Sequence, residues 1–267
     1  KLFEAGSIDW AGSPLSVLPQ DAIASLKEKG ILQISPGAGT HWFRLNTDKA
    51  PFDDIKIRQA FSMTLDRESI VDHITQGGQT PAYGVIPPSF GVHHEKKDVG
   101  DLKVDIGKLP PIVLSYAAND RNHKIAQAVQ QQWSQTLGVK IILEASEVAC
   151  LVQKISKGAY QIALGSWYAD IRDPINFLEI FKEKSNPTNQ TFWHNDAYTK
   201  LLDESSVELD PVRRQHLLDK AEAILIDETP VAPLFHSSYN YLKKDSINGV
   251  YFSPLGFLDF KEASEQQ

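Results

Sequence analysis

Trp167-Tyr168-Ala169-Asp170 sets two large aromatic rings beside a carboxylate, a grouping suited to gripping a ligand rather than transforming one. The rings offer rigid contact area, and a carboxylate screened from water can hold an α-ammonium group through a charge-assisted hydrogen bond. The same residues can equally be two core aromatics followed by a helix-capping or turn aspartate. His93-His94-Glu95 is the best metal candidate, but neighbours on an extended chain point to opposite sides and do not chelate together, so it reads as a solvated polar loop. Asp101 with Asp105, and Asp203 with Glu204, lie in charged stretches with nothing to bury them and tune a pKa, and read as solvated surface. Cys150 is the only cysteine; beside Leu151 and Val152 in a predicted helix it reads as a buried, inert thiol. The chain has no G-x-S-x-G elbow, Walker A loop, G-x-G-x-x-G turn or H-E-x-x-H pair.

The elements that must position these residues follow from periodicity and punctuation. A strand is predicted over 112–116; Asn119 or Asp120 then caps a helix with Ile125, Val129, Trp133 and Leu137 on one face, and Gly138 ends it. A second strand covers 139–144. Ser146 caps a helix carrying Val148, Leu151, Val152 and Ile155 at i, i+3, i+4 and i+7, closed by Gly158, and a third strand covers 160–166. Strand–helix–strand–helix–strand order requires crossovers, which make a largely parallel sheet covered by helices: fold class α/β. Trp167–Asp170 then falls just past the C-terminal end of a parallel strand, where open α/β sheets place ligand crevices.

Around this unit, a helix over 21–29 closes at Gly30, and strands over 31–35 and 41–46 flank a Pro36-Gly37-Ala38-Gly39 turn. Ile55, Ala60, Phe61 and Leu65 mark a helix, Asp66 caps the next, and Gly77-Gly78 stops it. Asp196 is expected to cap a helix, Asp210-Pro211 starts a long one, strands over 231–235 and 239–242 close the chain, and 263–267 should fray. The 267 residues are 42% apolar with a net charge of -7, which argues against nucleic-acid binding. No apolar run approaches the roughly 18 residues that span a bilayer.

One stretch is specific. Phe43-Arg44-Leu45-Asn46, then Pro51-Phe52-Asp53-Asp54-Ile55-Lys56-Ile57-Arg58-Gln59-Ala60-Phe61, then Leu65-Asp66-Arg67-Glu68-Ser69-Ile70 resembles the signature of the extracellular solute-binding proteins of peptide ABC importers, the oligopeptide/dipeptide-binding group. Gly6-Ser7-Ile8-Asp9, Pro81-Ala82-Tyr83-Gly84 with Pro87-Pro88, Trp133 before Leu137-Gly138-Val139, and Gly158-Ala159-Tyr160-Gln161 are similar to that family in the same order. Physically the signature is scaffold: Asp53 or Asp54 and Asp66 cap helices, and Arg58 and Arg67 are expected to tie them to the lobe through ion pairs.

The resemblance implies a periplasmic-binding-protein type II-like lobe with a mixed, mainly parallel sheet flanked by helices. It implies that the chain begins in the middle of a longer protein: 1–38 would belong to the N-terminal lobe and hinge, 39–236 to the C-terminal ligand-binding lobe, and 237–267 to a returning N-terminal segment. It further implies a monomer, periplasmic or held at the cell surface as a lipoprotein, that binds peptide and docks on permease subunits without catalysis, cofactor or metal. Asp170 matches the carboxylate that meets a peptide α-amino group; Ser166, Trp167 and Tyr168 match the edge whose backbone pairs with an extended peptide. Trp42 is expected to line the cleft, and Asn122 and Lys154 are candidates for the ligand carboxylate. Leu164 and Ile155 stand where the family can carry basic residues. The alternatives are a binder of another solute (murein peptide, metal chelate or opine) or a peptide-pheromone receptor on the same fold.

Overall fold

The computed structural model describes residues 2–96, 106 and 109–266. Its strands in chain order are β1 (Trp10–Gly12), β2 (Gln33–Leu45), β3 (Thr80–Pro81), β4 (Ile112–Ala117), β5 (Ile141–Ser146), β6 (Ile162–Tyr168), β7 (Val231–Lys243), β8 (Ile247–Asn248), β9 (Tyr251–Phe252), β10 (Leu258–Asp259) and β11 (Ser264–Glu265). The helices are α1 (Ile23–Glu28), α2 (Ile55–Met63), α3 (Arg67–Ile70), α4 (Asp120–Leu137), α5 (Val148–Ser156), α6 (Ile175–Leu178), α7 (Asp196–Val207) and α8 (Pro211–Glu228). One sheet runs β1-β7-β2-β6-β4-β5, with β3 added to β7. The strand–helix–strand–helix–strand run does build parallel pairs, β4 with β5 and β4 with β6. The sheet is mixed as expected, but its long strands β2 and β7 pair antiparallel with each other, and β2 pairs antiparallel with β6.

Alternation along β2 divides the core. Phe43 and Leu45 face a cluster formed with Ile112, Leu114 and Tyr116 of β4 and with Ile125, Val129 and Trp133 of α4. Trp42 faces the other side, among Phe177, Phe181, Tyr198, Leu218 and Leu225. A third cluster sits under α5, where Leu151 and Ile155 cover Tyr160 and Ala163.

Several elements differ from the sequence reading. The strands expected on either side of Pro36–Gly39 are one strand, because Gly37 and Gly39 let the chain irregularly follow β7 instead of turning back. The strands over 231–235 and 239–242 are likewise continuous as β7. β6 begins later and runs two residues further than predicted, so Trp167 and Tyr168 end the strand instead of following it. Glu147, not Ser146, caps α5 by accepting from the Ala149 and Cys150 amides, and Asn195, not Asp196, caps α7. The expected fraying tail instead pairs β11 with β8.

Cys150 is exposed, which corrects its reading as a buried thiol: α5 presents only Leu151 and Ile155 to the sheet, and Val148 and Val152 are also exposed. Arg58 and Arg67 tie the lobe together, but through backbone carbonyls. Arg58 donates to Glu228 O at 2.9 Å and Phe52 O at 2.8 Å, and Arg67 to Pro233 O at 2.8 Å. The guanidinium fork has only N–H donors, which suits it to carbonyls such as Glu228 O, left without a helical partner at the end of α8.

Trp133 joins α4 to the sheet and to α2. Its ring meets Phe43 at 5.2 Å and Phe61 at 4.9 Å between centroids, and its indole N–H donates to Phe61 O at 2.8 Å. Replacing Trp133 with Ala removes that packing and leaves a buried carbonyl unpaired, so urea unfolding should show a loss of about 3–5 kcal/mol.

Candidate functional site

The backbone of β6 decides where a ligand could sit. Its ladder with β2 extends from Ile162 to Tyr168, whereas its ladder with β4 holds only Ile162 and Ala163. β4 instead stays with β5 as far as Ala117 and parts from β6. The Ala169 amide donates to Ala38 O and the Asn46 amide to Gln161 O. In an antiparallel ladder those bonds fix the alternation: Gly165, Trp167 and Ala169 address β2, and Ser166 and Tyr168 turn their N–H and C=O the other way. Among the described residues no strand takes up that side. Past Ala163, β6 is therefore an open edge.

The aromatic segment is locked onto this edge. Tyr168 packs its ring against Gly39, where an added Cβ would lie 2.5 Å from Cδ1. Its hydroxyl accepts from Ser237 Oγ at 3.1 Å and lies 3.2 Å from His41 Nε2, yet the residue is 44% exposed. His41 stacks on Phe235 at 4.5 Å, and burial, with Arg121 and Arg44 nearby, lowers its pKa to about 3. Trp167 donates its indole N–H to Asn176 Oδ1 at 2.9 Å, and the same oxygen lies 3.2 Å from the donating Asp170 amide. One side chain thus fixes both ends of Trp167–Asp170. Asp173 caps the following turn at the Ile175 amide and pairs with Arg214 of α8 at 3.0 Å, so the loop is anchored to the helical layer. The Asp170 carboxylate is exposed and makes no hydrogen bond or ion pair with another described residue.

Ser166, Trp167, Tyr168 and Asp170 come together on this edge; the other three candidates do not. Trp42 is 1% exposed and belongs to the core, because its place in β2 turns it under α6–α8. Asn122 serves the start of α4: its amide donates to Asn119 Oδ1 at 2.9 Å and its side chain to Ala117 O at 3.1 Å. Lys154 is paired with Glu144, which also accepts from Ser115 Oγ at 2.7 Å. Sequence reasoning missed Asn176, His41 and Ser237; only Asn176, two residues after Pro174, carried a local signal of a helix-start polar residue.

The remaining groupings resolve as surface or scaffold. His94 is only partly solvated: Nε2 lies 3.0 Å from buried Glu222, whose other oxygen accepts the Val85 and Ile86 amides, and that carboxylate raises the His94 pKa, while His93 and Glu95 are exposed as expected. Asp203 pairs with Lys182 and Glu204 with Lys200 at the surface. Asp101 and Asp105 lie outside the described residues. Among the described residues no three His, Cys, Asp or Glu side chains group as metal ligands, and no helix is long and apolar enough to cross a membrane.

Residues 1–189 match the family model described as "Bacterial extracellular solute-binding proteins, family 5 Middle". The chain belongs to this family of solute-binding proteins. It is 39% identical over 98% of its length to the oligopeptide-binding protein OppA of Bacillus subtilis, and 30% identical over 99% to the dipeptide-binding protein DppE of the same organism. It spans about half of these relatives, 52% and 51% of their lengths. Among solved structures it resembles Haemophilus influenzae OppA complexed with RPPGFSPFR, with TM-score 0.80 and 26% identity over 93% of this chain and 52% of the other. It also resembles the Escherichia coli murein tripeptide binding protein MppA, with TM-score 0.81 and 26% identity over 96% of this chain and 52% of the other. The fold is that of a type II-like periplasmic-binding-protein lobe.

His41 and His236 give the site a defined response to acid. His236 is buried beside Thr40 Oγ1 at 2.9 Å, and its pKa is also lowered to about 3, by burial and then by His94. An unfolded histidine takes up a proton near pH 6.5, whereas these two remain neutral in the fold, so the unfolded state gains stability as pH falls from about 6.5 toward 3. Each should cost about 2 kcal/mol of stability between pH 7 and pH 5. Urea unfolding at successive pH values measures the loss, and an NMR titration showing His41 protonating near pH 6 would contradict it.

Proposed function

We propose that this chain is the C-terminal lobe of a binding protein that captures oligopeptides in an interlobe cleft and delivers them to an ABC permease. The open edge of β6, ending at an unpaired Asp170 carboxylate, carries this reading. An extended peptide laid along Ser166 and Tyr168 would use main-chain hydrogen bonds, which are indifferent to side-chain identity, and its α-ammonium group would meet Asp170. Trp167 and Tyr168 would supply contact area. A capture protein needs no turnover chemistry, so we read the chain as a non-enzyme.

The remainder of the same protein would form the opposite wall. Exposed Leu2, Val17, Phe257 and Phe260 on the terminal segments suit such a covering surface. The hinge would fall near residues 38 and 236, where the β2–β7 register shifts between Pro36, opposite Ser238, and Thr40, opposite His236. Ligand contacts to both walls would favour the closed form, which the permease would recognise. A monomer outside the cytoplasmic membrane, periplasmic or lipid-anchored at the cell surface, suits this role.

In the complete protein, Asp170→Ala should weaken binding of peptides with free amino ends by roughly 10- to 100-fold, the worth of a charged hydrogen bond. Isothermal titration calorimetry measures this. Equal affinity of the unmutated protein for N-acetylated and free peptides would remove the role assigned to Asp170.

A further inference from the structure

Arg44 reaches the open edge of β6 from the neighbouring strand, and Gly165 is what lets it pass. Arg44 lies on β2 opposite Ala163, two residues from Trp42, which faces Gly165. Its guanidinium is carried along that face, 6.0 Å from the Trp42 ring, and across the top of Gly165. A Cβ on Gly165 would fall 1.3 Å from Arg44 Nη1, so no other residue leaves this path open. Beyond the crossing, Nη2 points to Ser166 O at 3.5 Å, a carbonyl on the side of β6 that no strand among the described residues occupies.

Among the described residues the guanidinium has no counter-charge, and its one hydrogen bond is long. A half-buried cation of this kind is costly unless something neutralises it, and burial lowers its pKa accordingly. Arg121, in the first turn of α4, also acts electrostatically on His41 from the neighbourhood of this edge, and it too has no hydrogen bond or ion pair among the described residues.

We propose that Arg44, presented across Gly165, is the receptor for the terminal carboxylate of the bound peptide. This rests on the peptide reading of the β6 edge. Ser166 and Asp170 are four residues apart, at most about 13 Å along an extended chain. An extended peptide of about four residues, with its ammonium group at Asp170, would bring its carboxylate to the guanidinium.

The test compares tetraalanine with its C-terminal amide by calorimetry on the complete protein. The unmutated protein should prefer the free acid by roughly 10- to 100-fold. Arg44→Met, which keeps the length and removes the charge, should abolish that preference by weakening the acid and sparing the amide. Gly165→Ala should do the same with the arginine still present, because its Cβ displaces the guanidinium. Equal binding of acid and amide by the unmutated protein, a comparison that needs no variant to fold, would overturn the assignment of Arg44 and leave the peptide reading standing. A preference that survives Arg44→Met would overturn it as well. Failure of the unmutated protein to bind any peptide would remove both readings.

Discussion

β2 bonds to β7 on one side and, from Gly39 to Leu45, to β6 on the other, so the strand part of the candidate site is placed relative to it. Phe43 and Leu45 fix one face against α4, and Trp42 fixes the other under α6–α8. With both faces buried, the register cannot slip without turning the core inside out. That register sets Gly39 beneath the Tyr168 ring, His41 opposite Ser166 and Trp42 opposite Gly165. The open edge exists because β6 remains bound to β2 after β4 has parted from it with β5.

The polar residues near the edge are of two physical kinds. His41 and His236 are deprived of water and stay neutral, joining Tyr168 and Thr40 in hydrogen bonds that hold the aromatic face in place. Asp170, exposed, and Arg44, half-buried, lack partners of opposite sign among the described residues. A folded protein ordinarily pairs its buried charges. Leaving the half-buried Arg44 guanidinium without a partner costs the lobe free energy, whereas the exposed Asp170 carboxylate is solvated.

Much of this was legible in the sequence, and for stated reasons. The α4 stripe of Ile125, Val129 and Trp133 and the caps at Asp54, Asp66, Asn119 and Asp210 follow local rules, and the structure has them. The grouping of Trp167, Tyr168 and Asp170 was visible as residue types. Strand continuity was not, because Pro36-Gly37-Ala38-Gly39 reads as a turn in isolation, and only pairing with β7 holds it extended. Trp42 and Cys150 were misplaced for a related reason: which face of an element is buried depends on neighbours remote in sequence. The path of Arg44 over Gly165 was invisible, since no local pattern relates an arginine to a glycine 121 positions away.

Asn176 lends the site an unplanned property. Its single Oδ1 accepts both the Trp167 indole and the Asp170 amide, so any displacement of the aspartate is transmitted to the electronic surroundings of a tryptophan. Of five tryptophans, Trp42, Trp133 and Trp193 are buried in the core, whereas Trp167 and the distant Trp10 on β1 are only partly covered. The lobe therefore contains its own optical reporter, wired by one amide oxygen to the backbone of the loop that carries Asp170.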